Sequence, residues 1–268
     1  MKKKVNAMSE AMEMVKEARK TDRLSMSEIA TDMIEDFIEL HGDRLYKDDQ
    51  AIIGGIGKIN GLPVTVIGNE KGKDVKESMR RNFGSPHPEG YRKSLRLMKQ
   101  AEKFNRPIVN FINTSGAYCG VEAEERGQGE AIAKNLFEMS NLNVPVLSII
   151  MGEGGSGGAL ALALADEVWM MEYSIYSILS PEGFASILWK DAKRASEAAD
   201  LMRLTSFDLK ELAIVEKVIA GKNHHDEWIE KQLLMKQMKK EIYDKLINLR
   251  KMSKETLLEE RYQRFRKF

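Results

Sequence analysis

The sequence predicts an α/β fold built on a largely parallel sheet, and three observations carry that prediction. Arg106–Ile112 is a short, β-branched apolar run ending in Asn113-Thr114-Ser115-Gly116-Ala117-Tyr118-Cys119-Gly120, with a helix-forming stretch, Gly129–Ser140, beyond it. Val144–Met151 repeats the pattern, running into Gly152-Glu153-Gly154-Gly155-Ser156-Gly157-Gly158 and then into alternating Ala and Leu from Ala159 to Ala165. Pro107 and Pro145 stand at matching points of the two copies. Repeated strand–turn–helix units with short connections are the signature of parallel strands crossed over by helices.

The remaining elements follow in order. Val5, Met8, Met12 and Val15 recur at helical spacing over residues 5–20. Ser25 or Ser27 can cap a second helix with the face Ile29, Met33, Ile34, Phe37 and Ile38, ending at His41, which then sits as a dipole partner at its C-terminus. Ile52–Gly57 and Leu62–Gly68 form a β-hairpin about Asn60-Gly61, the strongest short turn signal. Lys71–Pro88 is a loop with a short helix, and His87, between two prolines, is structural. Glu89–Phe104 is a helix with Tyr91, Leu95, Met98 and Ala101 inward. Strands are expected at Glu167–Met171 and Ile175–Leu179, a break at Pro181-Glu182-Gly183 before Phe184–Lys190, and helices at Ala192–Leu204 and Asp208–Leu212. Val215–Ile219 is a further strand. A long helix, Asp226–Arg250, carries the stripe Ile229, Leu233, Met235, Ile242, Leu246 and Leu249, and a basic tail closes the chain.

Composition narrows the function classes. With 268 residues, 43% apolar and 31% charged, the chain has the make-up of a soluble globular protein with one large domain. Its apolar runs are too short to span a bilayer, and the basic N-terminus lacks the apolar core of a secretion signal. Cys119 is the only cysteine, so an internal disulfide and a thiolate zinc site are excluded, no metal site is expected, and a cytoplasmic location is. Net charge is +1, yet eleven Lys or Arg fall between Lys71 and Arg106 against Asp74, Glu77, Glu89 and Glu102. That cluster is either a solvated helix face or a surface for an anionic ligand or acidic partner. It lacks interleaved aromatics and any groove-reading motif, so nucleic acid is not the expected partner.

The glycine stretch 152–158 admits three chemistries. As Gly152-x-Gly154-x-x-Gly157 it matches a dinucleotide fingerprint, with Glu172 about 20 residues on. As Gly154-x-Ser156-x-Gly158 it matches a nucleophile elbow, with Asp191 or Asp208 and then His224 or His225 in the serine-hydrolase order. The third reading uses no side chain: the backbone N–H groups of Gly157 and Gly158, at a helix N-terminus, form an oxyanion hole, and the turn Gly116–Gly120 lines the same pocket. The bland alternative is that both glycine turns only permit tight packing.

Several blocks resemble the α subunit of the bacterial acetyl-CoA carboxylase carboxyltransferase. They are Gly152–Ala159, Ser180-Pro-Glu-Gly183, Ser186-Ile-Leu-Trp-Lys190, Ala123-Glu-Glu-Arg-Gly-Gln128, Arg80-Arg-Asn-Phe-Gly84, Pro88-Glu-Gly-Tyr-Arg-Lys93 and His41-Gly-Asp-Arg44. The similarity runs from about Met26 to Phe268. It implies a crotonase-like (ClpP/crotonase) ββα superhelix over residues 25–222, an N-terminal helical extension over 1–24 and a C-terminal helical segment over 223–268. It also implies an α2β2 assembly with a carboxyltransferase β subunit that carries the zinc, alongside biotin carboxylase. No cofactor is bound covalently; carboxybiotin arrives on the biotin carboxyl carrier protein, and its carboxyl group goes to acetyl-CoA to give malonyl-CoA, the first committed step of fatty acid synthesis. Gly157 and Gly158 would stabilise charge on the ureido oxygen, and Gly116, Ala117, Tyr118, Gly120, Gly154 and Gly155 would form the carboxybiotin pocket. Ser156 then becomes a spacer, and Gly158→Pro is expected to be folded but nearly inactive. The family's usual Thr-Pro-Gly-Ala-Tyr-Pro-Gly stands here as Thr114-Ser-Gly-Ala-Tyr-Cys-Gly120, Glu122 replaces a common glycine, and Ala220–His225 stands where Pro-Leu-Gly-Gly-Ala-His is usual.

Overall fold

A computed structural model describes residues 9–268; Val5 and Met8, expected in the first helix, lie outside the described residues. Eight strands form one mixed sheet: β1 Glu35–Glu39, β2 Ile52–Ile59, β3 Leu62–Asn69, β4 Ile108–Thr114, β5 Val146–Gly155, β6 Glu167–Met171, β7 Ile175–Ser177 and β8 Lys217–Ile219. Their order is β1-β2-β3-β4-β5-β6-β8, and β7 pairs the far end of β5. β1, β2 and β3 meet antiparallel, and every pairing from β3 onward is parallel. The hairpin turns at Asn60 (φ 48°) and Gly61 (φ 76°), the left-handed pair that a two-residue hairpin requires.

Both faces of the parallel strands are buried, which explains their near-continuous apolar sequences. On β5, Leu147, Ile149 and Met151 join one core with Leu234, Met238 and Ile242 of the helix Lys231–Leu249. Val146 and Ile150 face the other way, into a core with Leu97 and Met98 of the helix Pro88–Lys103 and Ala159 and Leu162 of the helix Ser156–Ala163. The sheet is thus sandwiched, and the loops at the C-terminal ends of β4 and β5 emerge side by side.

The structure corrects several local expectations. Ser25 caps its helix through a reciprocal capping box with Glu28, but the helix ends in a wide turn at Met33, and Phe37 and Ile38 belong to edge strand β1. A bulge with Asp36 at φ 51° breaks the register there, and pairing with β2 overrides the helical spacing. His41 therefore caps no helix; its Nδ1 lies 3.0 Å from Asp48. Tyr91, Met98 and Ala101 are buried as expected, while Leu97 rather than Leu95 completes that face. Pro181 begins the helix Pro181–Trp189 instead of breaking the chain, because Ser180 caps it and the first turn tolerates a missing N–H. The long C-terminal helix starts at Lys231, with Leu233 exposed and Leu234 inward. The basic tail is itself the helix Lys254–Arg266, held by the buried Arg261. That guanidinium donates to the carbonyls of Met139, Leu142 and Val144 and to both Asp166 oxygens.

The basic cluster is largely consumed within the fold. Lys73 pairs with Glu28, Arg81 with Glu77, Arg92 with Asp43 and Lys99 with Glu138. Fully buried Lys93 pairs with Asp48 and donates to the Ile52 carbonyl at 2.8 Å, and Arg96 donates to the carbonyls of His41 and Gly42. These charges staple the helix Pro88–Lys103 to the β1–β2 side of the sheet.

Candidate active site

Glycines 152–155 form no turn: they extend β5, with Gly154 opposite Thr114 of β4 and Tyr176 of β7. The reversal occurs at Ser156, whose φ of 52° lies in the left-handed region, and the helix Ser156–Ala163 begins at once. Among the described residues no side chain caps that helix. The N–H groups of its first turn, those of Ser156, Gly157 and Gly158, therefore carry the positive end of the helix dipole without an N-cap acceptor.

Here the two expected glycine turns touch. A Cβ on Gly155 would fall 2.1 Å from the Ser115 carbonyl oxygen. On Gly158 it would fall 2.4 Å from Ala117 N and 2.9 Å from the Tyr91 hydroxyl. Gly157 is different: a Cβ there meets only Ile132 Cγ2, at 3.7 Å. Gly155 and Gly158 are glycines because another backbone occupies the side-chain space, whereas Gly157 faces an opening. The expected Gly158→Pro variant would consequently disturb packing as well as remove a donor.

The first turn is held by side chains. Thr114 Oγ1 accepts from Gly116 N at 3.1 Å and donates to Gly116 O at 2.8 Å, and Gly116 has φ 145°. Tyr118 N donates to Pro86 O at 3.0 Å, and the Tyr118 ring lies 4.4 Å from His87, covering Gly120. The Tyr118 phenol, hydrogen-bonded to exposed Glu122, is pushed above its ordinary value. Buried Gln128 donates from Nε2 to Pro86 O at 2.9 Å and to Tyr118 O at 2.7 Å. Cys119 is exposed on the rim.

Glu153, inside the glycine stretch, anchors the end of β5 just before the reversal at Ser156. Arg19 Nε donates to its Oε1 at 2.9 Å, Lys71 pairs with Oε2, and its own N–H donates to Asn113 Oδ1 at 3.1 Å. Burial pushes the carboxyl up, but Lys71 and Arg19 outweigh it and hold the group below its ordinary value. Arg19 reaches on to Glu182 through two further hydrogen bonds. Sequence reasoning missed Arg19, Lys71, Tyr91 and Gln128 as parts of this neighbourhood; only the separation of Glu153 from any local cation hinted that a distant one must pair with it.

The rival chemistries find their residues otherwise employed. Glu172 accepts from the N–H groups of Gly221 and Lys222, closing a loop rather than awaiting a ribose. His224 and His225 are exposed, their rings tilted against each other with centroids 3.9 Å apart, and Asp208 serves in the capping box of Thr205.

Comparison with known proteins decides the family. A family model described as acetyl co-enzyme A carboxylase carboxyltransferase-like matches residues 1–268. The chain belongs to this family. It is 60% identical over 263 residues to the acetyl-coenzyme A carboxylase carboxyl transferase subunit alpha of Streptococcus sanguinis (strain SK36), covering 97% of this chain and 100% of that relative. Identity is also 60%, over 261 residues, to the protein of the same name from Streptococcus thermophilus (strain ATCC BAA-491 / LMD-9), with the same coverage of both chains. Among solved structures, transcarboxylase 12S superposes with TM-score 0.64 at 20% identity over 77% of this chain and 41% of its own. The β subunit of P. aeruginosa geranyl-CoA carboxylase gives 0.64 at 15% identity over 90% and 42%. The chain thus spans about two-fifths of each of these longer proteins, and their likeness establishes the crotonase-like fold. As a member of the family the chain is a carboxyltransferase, one component of a multisubunit complex.

Proposed function

We propose that the chain, as the alpha subunit of the carboxyltransferase component of acetyl-CoA carboxylase, receives carboxybiotin at the junction of the two glycine turns. The acceptor is acetyl-CoA, the product malonyl-CoA, and the site is completed by a zinc-bearing β subunit, with the biotin carboxyl carrier protein delivering the substrate. One observation carries this reading: the uncapped N–H groups of the helix Ser156–Ala163 open beside Gly157, where no side chain intrudes, while Ala117 closes the far wall against Gly158.

The fit is chemical as well as steric. Release of the carboxyl group leaves negative charge on the ureido oxygen of biotin, and this is the charge that a pair of backbone N–H groups at a helix N-terminus favours. Gly157 and Gly158 supply those donors, already oriented by the fold. Gly116, Ala117, Tyr118 and Gly120 bound the ring, while Gly154 and Gly155 carry the strand that fixes the donors' position. Ser156 spaces the donors and attacks nothing.

Mixing the purified chain with its β partner tests the proposal. Carboxyl transfer between malonyl-CoA and free biotin should appear only in the mixture and persist in Ser156→Ala. Activity of the isolated chain, or covalent labelling of Ser156 by a fluorophosphonate, would contradict it.

A further inference from the structure

Gln128 is spent on contacts that neither its helix nor the sheet requires. It occupies the first position of the helix Gln128–Ser140 and is 3% exposed. Its Nε2 spans two carbonyls, Pro86 O and Tyr118 O, that belong to separate loops. Its Oε1 is buried with no hydrogen-bond partner among the described residues. A buried amide with an orphaned oxygen costs folding free energy, which offsets part of what its two donated hydrogen bonds contribute, so Gln128 is a poor choice for stability alone.

What Gln128 does hold is the path of the first turn. Pro86 O also accepts from Tyr118 N, so Pro86, Tyr118 and Gln128 form a closed clamp on the residue that follows Ala117. Ala117 N and Gly116 C in turn occupy the space that a Cβ on Gly158 would need. The opposite side of the clamp is equally fixed: His87 N donates to Asp49 Oδ2 at 2.7 Å, and Gly90 leaves room for that buried carboxylate. A rigid post at Asp49–His87 thus reaches the glycine junction by two routes, the Tyr118 N–Pro86 O bond and the Gln128 amide, and only the second ties the Tyr118 carbonyl as well.

We propose that Gln128 is a positioning residue that sets the distance between the turn 116–120 and Gly158, and through it the width of the carboxybiotin pocket. The inference rests on the placement of carboxybiotin given above. Gln128 touches no substrate; it acts through the backbone of Tyr118 and Ala117. Its loss should therefore weaken the use of biotin while leaving the use of the acyl-CoA unchanged.

The test is steady-state kinetics of carboxyl transfer from malonyl-CoA to free biotin in the assembled α–β complex. Two variants are compared: Gln128→Met, which keeps length and loses both donors, and Gln128→Glu, which turns a carboxyl group toward two carbonyl oxygens. Both should raise KM for biotin about ten-fold or more, with KM for malonyl-CoA within about two-fold and an unchanged elution volume of the complex. Biotin KM within about two-fold of the parent in Gln128→Met overturns the proposal. So does an equal rise for both substrates, or failure of both variants to assemble, since each marks Gln128 as a general folding residue. Gly158→Ala in the same assay separates the two claims. If it also leaves biotin kinetics unchanged, the placement of carboxybiotin falls; if it alone abolishes them, only the role of Gln128 falls.

Discussion

The two glycine-rich segments of this chain do different jobs with similar residues. The second, Gly152–Gly158, is held by main-chain pairing with β4 and β7 and by one side chain, Glu153, and its glycines are demanded by backbone packed against them at 155 and 158. The first, Thr114–Gly120, is held chiefly by side chains, those of Thr114, Gln128 and the tilted His87–Tyr118 ring pair, beside one main-chain bond from Tyr118 N to Pro86 O, and shows Ser115 and Cys119 to solvent. The contrast teaches that a donor site and its wall are built to different tolerances. On the proposed reading a donor pair must not move, and backbone packs directly against Gly155 and Gly158; a wall has only to be the right shape, and side chains set most of its path.

Substitutions sharpen the contrast in order of expected size. Gly155→Ala is the severest, because its methyl group would sit 2.1 Å from Ser115 O and one of the two turns must move. A loss of about 3 kcal/mol is expected, a fall in Tm of about 6–12 °C, read by thermal denaturation. Glu153→Ala comes next, leaving Arg19 and Lys71 without their shared carboxylate at a cost of about 2 kcal/mol. Its pH dependence has a definite sign. A carboxylate held below its ordinary value stabilises the fold above about pH 4.3, and the contribution fades as the pH falls through the depressed value. The Tm gap between parent and Glu153→Ala should therefore be full at neutral pH and close on acidification below about pH 4. Gln128→Met is the mildest for the fold, costing about 1 kcal/mol for its two lost hydrogen bonds, with its main effect on KM for biotin.

How much of this was legible beforehand depends on which force decides each element. The hairpin at Asn60-Gly61 and the β4 and β5 units were legible, because turn chemistry and unbroken β-branched runs are local signals. Strand β1 was not: Ile29, Met33, Ile34, Phe37 and Ile38 fit a helical face, and only pairing with β2 makes the last two a strand. The turn expected over 152–158 shrinks to a reversal at Ser156, with 152–155 added to the strand, for a related reason. Glycine suits a reversal and a tightly packed strand equally, and the neighbour that chooses between them, the 115–117 backbone, lies about 40 residues away in the chain. The apparent cationic surface dissolved because partners such as Asp43, Asp48 and Glu138 fall outside the basic stretch itself. The proposed donors and the wall of the pocket were chosen from sequence blocks, and the structure brings 115–117 against 155 and 158. The clamp through Gln128 had no sequence signal, because a lone glutamine at a helix start is ordinary.

The central claim is that backbone N–H groups, and not a side chain, do the work at this junction. Gly157 tests it most directly, since a Cβ there meets nothing closer than 3.7 Å and the position lies in the first helical turn, where a proline ring is tolerated. Gly157→Ala keeps the N–H and Gly157→Pro removes it. In the α–β complex, with folding verified by thermal denaturation, the account predicts near-parental carboxyl transfer for the alanine variant and a loss of about 10²–10³-fold in kcat for the proline variant. Equal activities in the two folded variants would contradict it.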